Sequence, residues 1–220
     1  EMKVIALHSG GLDSTVMVAH LIAEGHDVLS LGVNYGQSHA RELQEARRSC
    51  AFMGVERIEL DLSSTLRPVL KGSALTDASV ELPERHYAHE SMKATIVPNR
   101  NMLLLSIAAA VAIGREFDAV AYAAHDGDHA IYPDCRKEFA DAMAHALSLC
   151  DWKHMELLRP FVGTDKAGIV ALGKAIFAPM ELTWSCYAGR DKHCGKCGTC
   201  VERKEAFELA GVVDPTEYED

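Results

Sequence analysis

The chain has 220 residues, 48% of them hydrophobic and 25% charged, a globular composition with room for one substantial core. Its 22 basic against 32 acidic residues leave a formal charge of −10, which argues against a nucleic-acid partner, whose binding leans on cations facing phosphates. The longest apolar run, 102–113, contains Ser106 and falls short of the roughly 20 residues that cross a bilayer, so no membrane partner is expected.

A strand-length apolar run at 4–7 leads straight into Ser9-Gly10-Gly11-Leu12-Asp13-Ser14-Thr15. No secretory signal is expected ahead of it, and Glu1 before Met2 is set aside as an addition. Leu12, Val16, Ala19 and Ala23 then share one helical face. A second strand is predicted at 28–33, a helix with Leu43, Ala46, Cys50 and Met53 inward, and a third strand at 57–60. The stretch 62–98, broken by Pro68, Pro83 and Pro98, reads as a loop-rich excursion near the active site. The run 102–113 predicts a buried helix, 119–124 a fourth strand, and Phe139, Met143, Ala146 and Cys150 the inner side of another helix. The last segment starts after Pro179. In it, Thr199 and Glu202 are read as a capping box opening a helix that Gly211 ends. Strands alternating with helices predict an α/β fold with a parallel sheet covered on both faces. Residues 1–180 are expected to form that domain, and 181–220 a small segment packed on it.

In the opening string the two glycines permit a sharp strand-to-helix turn that brings backbone N–H groups close to a phosphate. Ser9, Ser14 and Thr15 add hydroxyls, and the helix adds its positive N-terminal dipole. No lysine stands where a Walker A loop needs one, and Asp13 would repel a bare γ-phosphate, so ordinary γ-phosphoryl transfer is excluded. A carboxylate beside pyrophosphate makes sense with Mg²⁺ between them. The alternative is a plain Gly-rich turn with capping serines. The string resembles the pyrophosphate loop of the ATP pyrophosphatases, which cut ATP between its α- and β-phosphates.

Near the other end, Cys186, Cys194, Cys197 and Cys200 supply four thiols, with Gly195 and Gly198 letting the backbone wrap closely. Four thiolates fill the tetrahedral shell of Zn²⁺ and leave no position for water, as in a structural site. An iron–sulfur cluster is the competing occupant. Cys50 and Cys150 fall on apolar helical faces. Seven cysteines arranged this way point to a reducing compartment and hence to the cytoplasm.

Further strings are similar to one branch of the ATP pyrophosphatases, the 7-cyano-7-deazaguanine synthases of queuosine-precursor biosynthesis. They are Asn34-Tyr35-Gly36-Gln37, Val97-Pro98-Asn99-Arg100-Asn101, Tyr132-Pro133-Asp134-Cys135-Arg136, Glu181-Leu182-Thr183-Trp184-Ser185-Cys186-Tyr187 and Asp214-Pro215-Thr216. The resemblance implies an adenine nucleotide alpha hydrolase-like core with a C-terminal zinc-binding subdomain. It implies a ligase that turns 7-carboxy-7-deazaguanine and ammonia into the nitrile with two ATP, and it implies a homodimer. Nothing in the sequence resembles a glutaminase, so free ammonia is the expected nitrogen donor.

Carried over by position, the resemblance makes His8, Ser9, Gly10, Gly11, Leu12, Asp13, Ser14, Thr15, Val16, Met17 and Val18 the lining of the ATP site. Asp13 would place Mg²⁺, and Lys166 would stand near the phosphates unless it is a solvated first-turn lysine. Arg100 would counter a carboxylate or phosphate, with Asn99 and Asn101 reading a purine edge; a polar helix start is the alternative. Asp126, Asp128 and His129 form a possible substrate or metal wall, or else a solvated loop. Cys135 is read as a packing residue rather than a nucleophile. Tyr35 and Trp184 are candidates for stacking on a base. A tRNA sulfur transferase and a non-catalytic zinc-ribbon module are the other readings; the acidic charge opposes the first and the intact loop the second.

Overall fold

The computed structural model describes residues 1–37, 41–70, 72–73, 75–76, 93, 96–125, 132–188 and 190–219. Five strands, β1 (Lys3–Leu7), β2 (Asp27–Asn34), β3 (Glu56–Asp61), β4 (Ala119–Ala121) and β5 (Glu156–Leu158), pair in the order β3-β2-β1-β4-β5. Every neighbouring pair is parallel, as the alternation of strand and helix predicts.

A parallel sheet is buried on both faces, so its strands are apolar at successive positions rather than at alternate ones. Val4, Ala6, Ala119 and Ala121 point to one face, where helices α1 (Leu12–Ala23), α6 (Lys166–Ala175) and α7 (Gly198–Leu209) cover them with Val16, Ile169 and Phe207. Ile5, Leu31, Val120 and Tyr122 point to the other, beneath α4 (Arg100–Gly114) and α5 (Lys137–Ser148). Helix α2 (Arg41–Met53) joins the first face through Met53, and a short α3 (Ser63–Leu66) follows β3. Because the chain leaves β1 toward β2 and β3 and resumes at β4 on the other flank, a cleft opens between β1 and β4 at their carboxyl ends, the place where open α/β sheets bind ligands.

The structure revises several sequence expectations. The fourth strand ends at Ala121 rather than at 124, and α5 turns Ala140, Met143 and Leu147 inward, leaving Ala146 and, beyond its end, Cys150 exposed rather than inward. Strand β5 was not foreseen, since three residues are too few to show a period; helix α6 does start at Lys166, weighed above as a first-turn lysine, and is opened by Asp165, whose carboxylate accepts the Gly168 N–H at 2.8 Å. The capping box is corrected, since Cys197 is the N-cap of α7. Thr199 instead donates to the Ser185 carbonyl at 2.6 Å, and Glu202 accepts from Lys166. Gly211 does end the helix, with φ of 64° and the paired Gly211→Glu208 and Val212→Phe207 backbone bonds of a Schellman turn. Where it is described, the 62–98 excursion is irregular apart from α3; the rest lies outside the described residues.

The last segment is tied to the core through Arg203, a fully buried side chain of α7. It donates to Thr183 Oγ1, Ser185 Oγ, the Met180 carbonyl and Thr216 Oγ1, with Asp214 beside it. Among the described residues no helix is long and apolar enough to cross a membrane.

Candidate active site and metal centre

The turn between β1 and α1 is held from three sides. Gly10 sits at φ of 97°, and a Cβ there would lie 1.9 Å from the Glu42 carbonyl oxygen and 2.9 Å from the Ala46 nitrogen, so α2 presses on the turn as closely as a bare glycine permits. On the other side the Trp184 N–H donates to the Gly10 carbonyl at 2.9 Å. Below, His8 bridges Ser30 Oγ and Thr15 Oγ1, each at 3.0 Å. Burial, with Arg57 adding to it, pulls the His8 imidazole down to about 3, so it works as a neutral strut. Gly10→Ala is expected to cost at least about 1–3 kcal/mol through the left-handed backbone alone. Displacement of α2 adds to this, and the change is readable as a lower urea midpoint together with loss of ATP affinity.

Gly11 is the N-cap of α1 and no side chain caps the helix. The free N–H groups of the first turn, which a cap would otherwise occupy, form an anion-binding end. Ser9 and Ser14 stand beside it with their hydroxyls 3.1 Å apart, Ser9 accepting from the Gly11 N–H and Ser14 donating to the Gly11 carbonyl. This end opens into a cavity of about 290 Å³ over β1 and β4. Its wall includes Asp13, Glu42, Arg100, Tyr122, Lys166 and Glu202.

The charges in that wall are organised around Asp13. Its Oδ2 lies 3.2 Å from Lys166 Nζ and 3.5 Å from His125 Nε2, while Lys166 also donates to Glu202 at 2.7 Å. Burial would raise the Asp13 carboxyl, but Lys166 and His125 outweigh it and hold the group well below the usual carboxylate range. Its second oxygen, Oδ1, is buried with no hydrogen-bond partner among the described residues. That orphaned oxygen is the donor a divalent cation needs, so the residues present fit Mg²⁺ at this point. Arg100 stays firmly cationic: burial opposes its charge, but Tyr35, Cys135 and Asp134 together prevail.

The four cysteines converge. Cys186, Cys194, Cys197 and Cys200 are all buried, and their Sγ atoms lie within 4.8 Å of one another. Backbone N–H groups of Ala188 and Cys194 donate to Cys186 Sγ at 3.3 Å, and that of Cys197 donates to Cys194 Sγ at 3.3 Å. Donors aimed at sulfur favour thiolates, and four thiolates fit a tetrahedral metal. His193 is not part of the donor set. Its Nε2 accepts the Ser185 N–H at 3.1 Å, and its ring rests 4.1 Å from that of Trp184. The centre adjoins the cavity directly, since Cys186, Trp184 and Tyr187 belong to both.

Comparison with known proteins decides the family. The model of the family described as "Queuosine biosynthesis protein QueC" matches residues 3–211. The chain belongs to that family. Curated family members from Brucella ovis and Brucella canis, each named 7-cyano-7-deazaguanine synthase, are 50% identical over 224 residues, covering 100% of this chain and 94% of theirs. Among solved structures, the NMN synthetase of Francisella tularensis aligns with a TM-score of 0.55 at 17% identity, over 97% of this chain and 78% of that one. An NH3-dependent NAD synthetase from Campylobacter jejuni gives 0.50 at 17% identity, over 82% and 66%. At that identity these two speak for the fold, which the QueC family shares with them.

Within this QueC-family chain the structure divides the residues expected to line ATP. His8, Ser9, Gly11, Leu12, Asp13 and Ser14 reach the cavity wall, and Gly10 holds the turn behind it. Thr15, Val16, Met17 and Val18 do not reach it. Thr15 bonds His8, and the other three are fully buried in the core, because α1 turns that side toward the sheet. Asn101 is spent on the neighbouring string: its backbone N–H donates to Asp134 Oδ2 and its side chain to the Asp134 carbonyl, with Cys135 Sγ 3.5 Å away. Cys135 is buried and also lines the cavity. Tyr35 and Trp184 both line the cavity, and the indole of Trp184 already carries Arg41 at 4.8 Å and His193. Asp126, Asp128 and His129 lie outside the described residues. The sequence reading missed Glu42, Tyr122, His125 and Glu202. Only Glu202 carried a local signal, and it was read as half of a cap.

Proposed function

We propose that this chain converts 7-carboxy-7-deazaguanine and ammonia to 7-cyano-7-deazaguanine, using two ATP and releasing AMP and pyrophosphate in each round. The observation that carries the reading is the uncapped Ser9–Ser14 turn, which faces a cavity shared with Asp13, Lys166 and Arg100; full-length relatives at 50% identity bear that activity in their names. A carboxylate is a poor electrophile until its oxygen becomes a leaving group, which adenylation provides. Removing the amide oxygen needs the same device again, so one cavity serves both rounds.

In this reading the N–H groups at the start of α1, with Ser9 and Ser14, hold the pyrophosphate that departs. Lys166 neutralises charge as it separates, and Arg100 holds the substrate carboxylate or the α-phosphate. These donors are fixed before the reaction, which is where their catalytic value lies. Asp13 would hold Mg²⁺, which would supply charge neutralisation for the phosphates. The four-cysteine centre would hold Zn²⁺ in a structural role. The free thiols suit a reducing cytoplasm. A homodimer follows from the family resemblance and is checked by light scattering.

The test is incubation with 7-carboxy-7-deazaguanine, ATP, Mg²⁺ and ammonium, followed by mass spectrometry. The nitrile is the expected product, and glutamine in place of ammonium is expected to give none. Detection of neither amide nor nitrile with metal-replete protein rejects the reading.

A further inference from the structure

Ammonia carries three hydrogens on nitrogen and a nitrile carries none, so all three protons must leave inside this cavity. In the first round the nitrogen lone pair attacks the acyl carbon, the bond from that carbon to the AMP oxygen breaks with its electron pair on AMP, and one proton leaves nitrogen to give the amide. In the second, the amide oxygen attacks the α-phosphorus and pyrophosphate departs. The carbon–oxygen bond then breaks toward AMP, and the two remaining protons leave nitrogen as the triple bond forms. A group in the cavity wall must receive them.

Resting on that function, we propose that the Glu42 carboxylate is the proton acceptor for the substrate nitrogen in both rounds. The geometry is specific. Glu42 lies in the first turn of α2 and its own carbonyl is the group that packs on Gly10, so its backbone is locked to the turn where the phosphates are held. Glu42 lines the same cavity as Asp13, Lys166 and Arg100.

Among the described residues, the other carboxylates of that wall and its cations are committed elsewhere. Asp13 is held ionised by Lys166 and His125, Glu202 is bound to Lys166, and Arg100 remains cationic beside Tyr35. Burial pushes the Tyr122 phenol well above its ordinary value, which removes it as a base near neutrality. Glu42 titrates near the working range. Burial, only partly opposed by Arg100, lifts it from 4.5 to about 7, where a carboxylate both accepts a proton and returns it to solvent between rounds.

The sign of the stability effect follows. A carboxyl whose folded value is raised stabilises the fold below its unfolded value, and that contribution is lost as pH rises through about 7. Glu42→Gln, which cannot ionise, is therefore expected to melt at pH 8 no lower than the parent chain.

The experiment uses labelled pyrophosphate and the full chain at pH 8. Glu42→Gln is expected to keep substrate-dependent ATP–pyrophosphate exchange, which needs adenylation only, to within about threefold. Its formation of amide and nitrile from ammonia is expected to fall by about 10²-fold or more. Glu42→Asp, which keeps a carboxylate, is expected to recover part of the loss. Exchange and product falling together would overturn the proposal in favour of a role in holding the turn, and unchanged product formation would overturn it outright. Failure of the parent chain itself to exchange or form product would instead reject the underlying function, so the two failures are distinct.

Discussion

Cys197→Ser is expected to lose its bound metal and to melt roughly 10 °C lower than the parent chain. A structural zinc site contributes apparent binding free energy of about 10–16 kcal/mol that is coupled to folding. Removing one of four thiolates forfeits about 4 kcal/mol of it, and each kcal/mol moves Tm by about 2–4 °C at this chain length. Cys197 is also the N-cap of α7, so the damage spreads. That helix carries Thr199, which anchors the Ser185 carbonyl, and Glu202, which holds Lys166. The adjoining Trp184 N–H grips Gly10. Turnover is therefore expected to fall with the metal. Cys150→Ser, at an exposed position away from the cluster, serves as the control and is expected to change stability by no more than about 0.5 kcal/mol. Elemental analysis and calorimetry read both variants. Full metal content with an unchanged Tm in Cys197→Ser would remove Cys197 from the ligand set, and iron with labile sulfide in the parent would replace zinc by a cluster.

Asp13→Asn is expected to lower turnover by about 10²–10³-fold or more while leaving a folded protein. The asparagine keeps the shape but offers no anionic oxygen where Oδ1 now stands unpaired among the described residues, so it would no longer hold Mg²⁺ there. Lys166 keeps Glu202 as its partner, which protects the local packing. The pH dependence has a definite sign. The folded carboxyl lies below its unfolded value of 3.8, so its contribution to stability is present above that value and disappears as pH falls through the folded one. Parent and variant are thus expected to differ in urea stability near neutrality and to converge in strong acid. A variant with parental turnover would take Asp13 out of the chemistry.

How much of this was legible in the sequence depends on the range of the interactions involved. The Ser9–Thr15 turn could be read because its requirement is local: glycine where the backbone needs it, hydroxyls beside it, and an apolar strand before it. The four cysteines could be read because their spacing reflects one coordination sphere. Strand β5 could not, because three residues in register with β4 show no pattern of their own.

The cavity wall could be read only in part, for a different reason. Lys166 and Glu202 are 36 positions apart and meet because α6 packs on α7. Glu42 gains its place because α2 closes on Gly10, and its burial is a property of the assembled wall. The run from Thr15 to Val18 was assigned to ATP by the family resemblance, but the helix rotates those side chains into the core within one turn. Sequence strings marked where backbone chemistry happens; tertiary packing chose which acids and bases face it.

The central claim is that the turn between β1 and α1 holds the pyrophosphate released when AMP is passed to an oxygen of the substrate. The direct measurement is the fate of ATP labelled in its α- and γ-phosphates during turnover with 7-carboxy-7-deazaguanine and ammonium. The account predicts two AMP and two pyrophosphate for every nitrile formed. Release of ADP and orthophosphate in step with product would contradict it.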